Sequence, residues 1–149
     1  TPSSAASDVY KRQVLGFVSC MQAVLPKLTT NSSVVLYSTV AVKVGMPFHA
    51  SVAASKGALE GLGKSLAAEL APNTRVNVIA PSITNTPLAD RFLNNETKLE
   101  KSAQRHPLKR VGKAEDVASM TRFLLSDESS WMTGQIIGLD GGMSSLNTH

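Results

Sequence analysis

The sequence predicts an α/β domain built on a parallel sheet of about three strands with flanking helices. Two observations carry this. Three short runs, 33–37, 74–80 and 135–139, are rich in Val, Ile and Leu, as parallel strands buried on both faces are. Between them lie segments whose apolar residues recur at helical spacing. The alternation of strand and helix spells parallel units joined by right-handed crossovers.

The elements follow in order. Residues 1–7 are small and polar, with no apolar period. Residues 8–13, Asp-Val-Tyr-Lys-Arg-Gln, read like a translated transposon-type adapter. Residues 1–13 are therefore expected to be a non-native or disordered tail. Natural sequence is expected to begin near Val14, with an N-terminal half absent. Residues 14–149 are read as a partial domain.

A helix is predicted over 14–28, where Val14, Leu15, Phe17, Val18, Met21, Val24, Leu25 and Leu28 share one face. The first strand, 33–37, follows a polar loop. Residues 38–51, with Gly45 and Pro47, read as a loop. A long helix is predicted over 52–71, stopped by Pro72. The second strand is 74–80, and 81–87 a loop. Two short amphipathic helices are predicted over 88–92 and 95–105. Another covers 113–126, with Glu115 and Asp116 where they suit the helix dipole. The third strand ends at Leu139, before Asp140-Gly141-Gly142.

Composition excludes several classes. At 149 residues, 42% hydrophobic and 17% charged, the chain is one globular domain able to bury a core. The net charge of +4 is mild and its Lys and Arg are scattered, so neither nucleic acid nor membrane is an expected partner. The single cysteine, Cys20, permits no internal disulfide, which suits a reducing, cytoplasmic setting. Three histidines and one cysteine show no metal-ligand spacing, so no metal site is expected.

Four segments, in order over about 14–146, resemble the short-chain dehydrogenase/reductase family. They are Val34 to Ala41; Phe48-His49-Ala50-Ser51-Val52-Ala53-Ala54-Ser55-Lys56-Gly57; Arg75 to Leu88; and the closing set His106-Pro107-Leu108-Lys109-Arg110-Val111-Gly112, Ser129 to Gln135 and Leu139 to Gly142. The resemblance implies the C-terminal part of a doubly wound, Rossmann-like parallel sheet. It also implies NAD or NADP as cofactor, a small-molecule alcohol or carbonyl as substrate, and a homodimer or homotetramer formed through helices 14–28 and 52–71.

The family places a tyrosine four residues before its active-site lysine. Here that position is Val52. A phenol can give a proton to a carbonyl oxygen, and an ammonium one helical turn away lowers its pKa. Valine can do neither. Only Tyr10 and Tyr37 remain, and neither lies four before a lysine on a helix.

The other roles carry over residue by residue. Counting back thirteen from Val52 reaches Thr39, at the place of the catalytic serine. Its hydroxyl is a candidate to hold a carbonyl, or else to satisfy the loop backbone. Lys56 matches the lysine that binds the nicotinamide ribose. Pro81, Ser82, Thr84 and Thr86 occupy the loop whose backbone and threonine touch the nicotinamide, with Ser82 where the family has glycine. His49 is a weak substitute acid, as is a water relayed through Ser51. The helix asparagine that the family places three before a glycine would fall at Gln13, three before Gly16.

No Gly-x-Gly-x-x-Gly stands in the chain, so its dinucleotide affinity is expected to be poor or absent. The small residues of the long helix, Gly57, Gly61 and Gly63 among them, suggest close approach of another backbone. The first strand is expected to form an open apolar edge, giving low stability alone or reliance on self-association. The resulting expectation is a divergent, truncated oxidoreductase. The alternative is a dinucleotide-binding or oligomeric scaffold that has lost the chemistry.

Overall fold

The computed structural model describes residues 7–147. The part of the expected tail at 1–6 lies outside the described residues. Residues 7–10 are helical and run into a wide helical turn, Lys11–Leu15, continuous with helix α1, Gly16–Val24. Pro26 tightens the end into a short turn, Leu25–Lys27. The helix expected to reach residue 28 thus ends earlier.

Strand β1 is Ser32–Tyr37, followed by the short helix α2, Ala41–Val44, where a plain loop was expected. Helix α3 spans Ala50–Leu70 and strand β2 Thr74–Pro81. Strand β3, Thr84–Asn85, pairs in parallel with β4, Gly112–Lys113, a bridge too short to leave a pattern in the sequence. Between them lie helices α4, Asp90–Leu93, and α5, Glu96–Gln104, the latter capped by Asn95 Oδ1 on Lys98 N–H. Helix α6 is Ala114–Leu125 and strand β5 Ile136–Leu139.

The main sheet has three parallel strands in the order β1-β2-β5. β2 is central, and its alternation explains its burial. Val76 and Val78 face α3, packing with Leu36, Leu59 and Ala67, against which Phe17 of α1 also sits. Arg75 and Asn77 turn to the other side, where Asn77 bonds Met132 C=O and Gln135 N–H. Leu124 of α6 is wholly buried on that side. β1 is an outer strand, without a strand on its far side among the described residues.

Gly63 is accounted for within the chain. A Cβ there would lie 2.7 Å from Val78 Cγ2, so α3 rests directly on the sheet. Gly61 is different: a Cβ there would meet nothing within 4 Å. No helix among the described residues is long and apolar enough to cross a membrane.

Candidate active site

The candidate groups gather at the carboxyl ends of β1 and β2, the end at which open parallel sheets bind ligands. Lys56 is the best-defined of them. It lies on α3 one turn after Val52, so the two side chains share a helix face. Its Nζ donates to Tyr37 C=O at 2.9 Å and to Gln13 Oε1 at 2.7 Å. Burial pulls the Lys56 ammonium below the ordinary lysine range. An ammonium has three N–H donors, and two are used.

Gln13 is the functional candidate that sequence reasoning set aside with the tail. The signal for it was present, since Gln13 stands three before Gly16. The helical lead-in to α1 packs beside α3 and delivers the Gln13 amide to Lys56.

Thr39 follows β1. Ser38 N–H donates to Ile79 C=O and Val40 N–H to Pro81 C=O, so the turn is stitched to the end of β2 on both sides of Thr39. Thr39 Oγ1 accepts from Ala41 N–H at 3.3 Å, which leaves its hydroxyl proton to donate. The neighbouring Ser38 is buried and donates to Glu60 Oε1 at 2.5 Å.

His49 stands at the residue before α3, exposed and with no side-chain bond to the helix. Its Nδ1 donates to Pro47 C=O at 2.8 Å, leaving Nε2 as an acceptor in the neutral ring. It can therefore give a proton from Nε2 only as an imidazolium. Phe48 beside it has φ of 64°, a left-handed conformation rare for an aromatic residue.

The loop after β2 is held by its own side chains. Thr84 Oγ1 donates to Ser82 C=O, and Thr86 Oγ1 to Thr84 C=O. Ser82 has no positive φ, so serine replaces glycine there without backbone strain. Ser82 N–H donates to Leu139 C=O at 3.3 Å, and its Oγ lies 2.8 Å from Nε2 of the buried His106. A cleft of about 110 Å³ lies behind this loop, lined by Ser82, Thr84, His106, Leu139 and Asp140 among others; Thr39, Val52 and Lys56 are not in its walls.

Asp140 anchors the closing turn. Burial alone would raise its carboxyl, but hydrogen bonds from Ser144 and from Gly142 N–H, with Lys43 nearby, bring it below the usual carboxylate range.

A family model described as enoyl-(acyl carrier protein) reductase matches residues 1–144. The chain belongs to this family of short-chain dehydrogenases/reductases. It is 42% identical over 131 residues to the 3-oxoacyl-[acyl-carrier-protein] reductase FabG of Thermotoga maritima, covering 86% of this chain and 52% of that one. It is 36% identical over 145 residues to tropinone reductase-like 3 of Erythroxylum coca, covering 97% of this chain and 56% of the relative. Among solved structures, the RhlG/NADP active-site complex of Pseudomonas aeruginosa superposes with a TM-score of 0.88 at 30% identity, over 97% of this chain and 61% of that one. A short-chain type dehydrogenase/reductase from Mycobacterium ulcerans gives 0.89 at 30% identity, over 95% of this chain and 53% of the other. The chain spans about half the length of the curated relatives it matches.

Within this family, the sheet order β1-β2-β5 and the long helix carrying Val52 and Lys56 agree with the C-terminal part of the doubly wound fold expected from sequence.

Proposed function

We propose that this chain is the substrate-side portion of an NAD(P)-dependent oxidoreductase acting on an alcohol/carbonyl pair. One observation carries the cofactor-binding part of this reading, on which the chemistry builds. The ammonium of Lys56 is held by Tyr37 C=O and Gln13 Oε1, one helical turn from Val52, with one N–H left to donate. A cofactor ribose hydroxyl is the kind of acceptor that N–H would suit.

The donor set fits the nicotinamide end of such a cofactor. Lys56 would hold the ribose, and the loop from Pro81 through Ser82, Thr84 and Thr86 would face the nicotinamide amide. The pyrophosphate has no counterpart here, since the sequence carries no glycine-rich turn. The nicotinamide, when bound, supplies the hydride. The hydroxyl of Thr39, already fixed by accepting from Ala41 N–H, donates to the substrate carbonyl oxygen and polarises it. The proton for that oxygen must then come from a donor other than residue 52. His49 as an imidazolium, or a water ordered by Ser51, is the remaining local source. The reading includes a cytoplasmic location and a homo-oligomer paired through α1 and α3.

Val52 itself favours a second reading, a dinucleotide-binding scaffold without turnover. The two separate on one experiment. NAD and NADP binding is measured by calorimetry on the complete natural protein, and carbonyl reduction is measured for it and for its Val52→Tyr variant. Binding with turnover in both, and a rise of about 10²–10⁴-fold on restoring the phenol, supports the oxidoreductase. Binding with turnover only in Val52→Tyr supports the scaffold. No binding of either dinucleotide refutes both.

A further inference from the structure

We infer that Ser82 and His106 form a latch that fixes the base of the excursion 82–106, making His106 a positioning residue for the loop that carries Thr84 and Thr86. His106 is 2% exposed, and both ring nitrogens are engaged. Nδ1 donates to Ser102 C=O at 2.8 Å, since a carbonyl can only accept. The neutral ring then presents Nε2 as an acceptor, and the Ser82 hydroxyl donates to it at 2.8 Å.

These bonds join three segments. Ser82 is the first residue after β2, Ser102 lies in the last turn of α5, and the ring rests against the turn after β5. There a Cβ on Gly141 would lie 3.7 Å from the ring atom His106 Cδ2. Leu108 N–H donates to Gly141 C=O and Ser82 N–H to Leu139 C=O, so the end of β5 and the turn after it touch both feet of the excursion. Backbone pairing of β3 with β4 secures the residues just beyond Ser82. The Ser82 side chain is the direct tie from the start of the excursion to His106 at its end. A glycine at 82 would remove it.

The consequence is selective. Without the hydroxyl, Nε2 is a buried acceptor with no partner, and the strain falls on the two feet rather than on the main sheet. The role of Thr84 and Thr86 toward a nicotinamide rests on the function proposed above; the latch does not.

The test is amide hydrogen exchange on this chain, comparing Ser82→Ala, Ser82→Thr and His106→Gln. Ser82→Ala should speed exchange about ten-fold across 83–109, with β2 and α3 unchanged, and Ser82→Thr should restore protection. His106→Gln places an amide near the Nε2 position; if the chain tolerates it, exchange should lie between wild type and Ser82→Ala. Unchanged exchange in Ser82→Ala, or a uniform rise through the sheet, would overturn the latch. Calorimetry of Ser82→Ala in the complete protein separates the two proposals. Cofactor binding several-fold weaker supports both. Local loosening with unchanged binding leaves the latch standing and counts against the nicotinamide role of the loop.

Discussion

Alanine at Gly63 and at Gly61 should shift stability in opposite directions, and the difference isolates one contact. Both glycines lie within α3, two residues apart, so each substitution gains about the same helix propensity, about 1 kcal/mol. At 61 the new methyl enters open space. At 63 it would lie 2.7 Å from Val78 Cγ2, against an ordinary carbon contact of about 3.5–4.0 Å. Helix and strand must therefore part by roughly 1 Å. Val78 cannot yield cheaply: it is 1% exposed, stiff at χ1, and on the central strand. Overpacking of this kind costs about 1–3 kcal/mol. Gly61→Ala should then stabilise by about 1 kcal/mol, and Gly63→Ala should destabilise by about 1 kcal/mol. The assay is urea unfolding followed by far-UV circular dichroism, comparing midpoints at equal slope. A Gly63→Ala chain as stable as Gly61→Ala would mean that α3 does not sit on β2 as described. Repeating the measurement at several protein concentrations adds a second outcome. If α3 pairs with a second copy at Gly61, the gain there should shrink or reverse as association sets in.

Two further expectations concern α6. Arg75 donates to Leu124 and Ser126 C=O at the end of that helix, and to Ser129 Oγ and Met132 C=O in the segment beyond it. Arg75→Met should lower stability by about 2–4 kcal/mol in urea unfolding, and Arg75→Lys should recover only part of it, lacking the planar fork; a loss within error for Arg75→Met would refute the clamp. At the other end, Asp116 accepts from Arg110 and from Lys113 N–H, which hold its carboxyl at about 2, below the ordinary 3.8. The unfolded chain takes up that proton first, so the contribution is full above the ordinary value and is lost as pH falls from about 4 toward about 2. Asp116→Asn should flatten the acid limb of stability measured against pH, and an identical limb would contradict the pairing.

The main sheet was legible because its signals are local. The runs at 33–37, 74–80 and 135–139 and the helical period over 52–71 each sit within a few residues of the observed ends. Thr39 and Lys56 were picked out only through the family resemblance, counted from Val52, and their roles remain part of the proposed function. What escaped was long-range. The Gln13–Lys56 contact spans 43 residues and the Ser82–His106 contact 24, and no periodicity records either. The β3–β4 bridge failed for a different reason, since two residues cannot establish an alternation. The glycines of the long helix suggest close approach of another backbone, and at Gly63 the close neighbour is the chain's own central strand, through Val78.

The presence of Lys56 one turn after Val52 bears directly on the choice between enzyme and scaffold. A lysine whose only use is to lower a tyrosine pKa has no such use beside a valine. Lys56 has another role in this chain: through Tyr37 C=O and Gln13 Oε1 it ties the outer strand β1 and the lead-in to α1 onto α3. Its presence is therefore explained by architecture whichever reading holds, and it cannot by itself argue for turnover. Thr39 is tied less firmly. Its Oγ1 accepts one bond at 3.3 Å, and its hydroxyl proton is not needed by the fold. Under the proposed function, the chemistry would rest on Thr39 and on the identity of residue 52. For that reason the informative comparison is wild type against Val52→Tyr, each with and without Thr39→Val. A carbonyl activity that needs Thr39 in the presence of Val52 would identify an oxidoreductase using another acid. Activity that needs both Thr39 and the restored tyrosine would identify a scaffold that still holds most of the site.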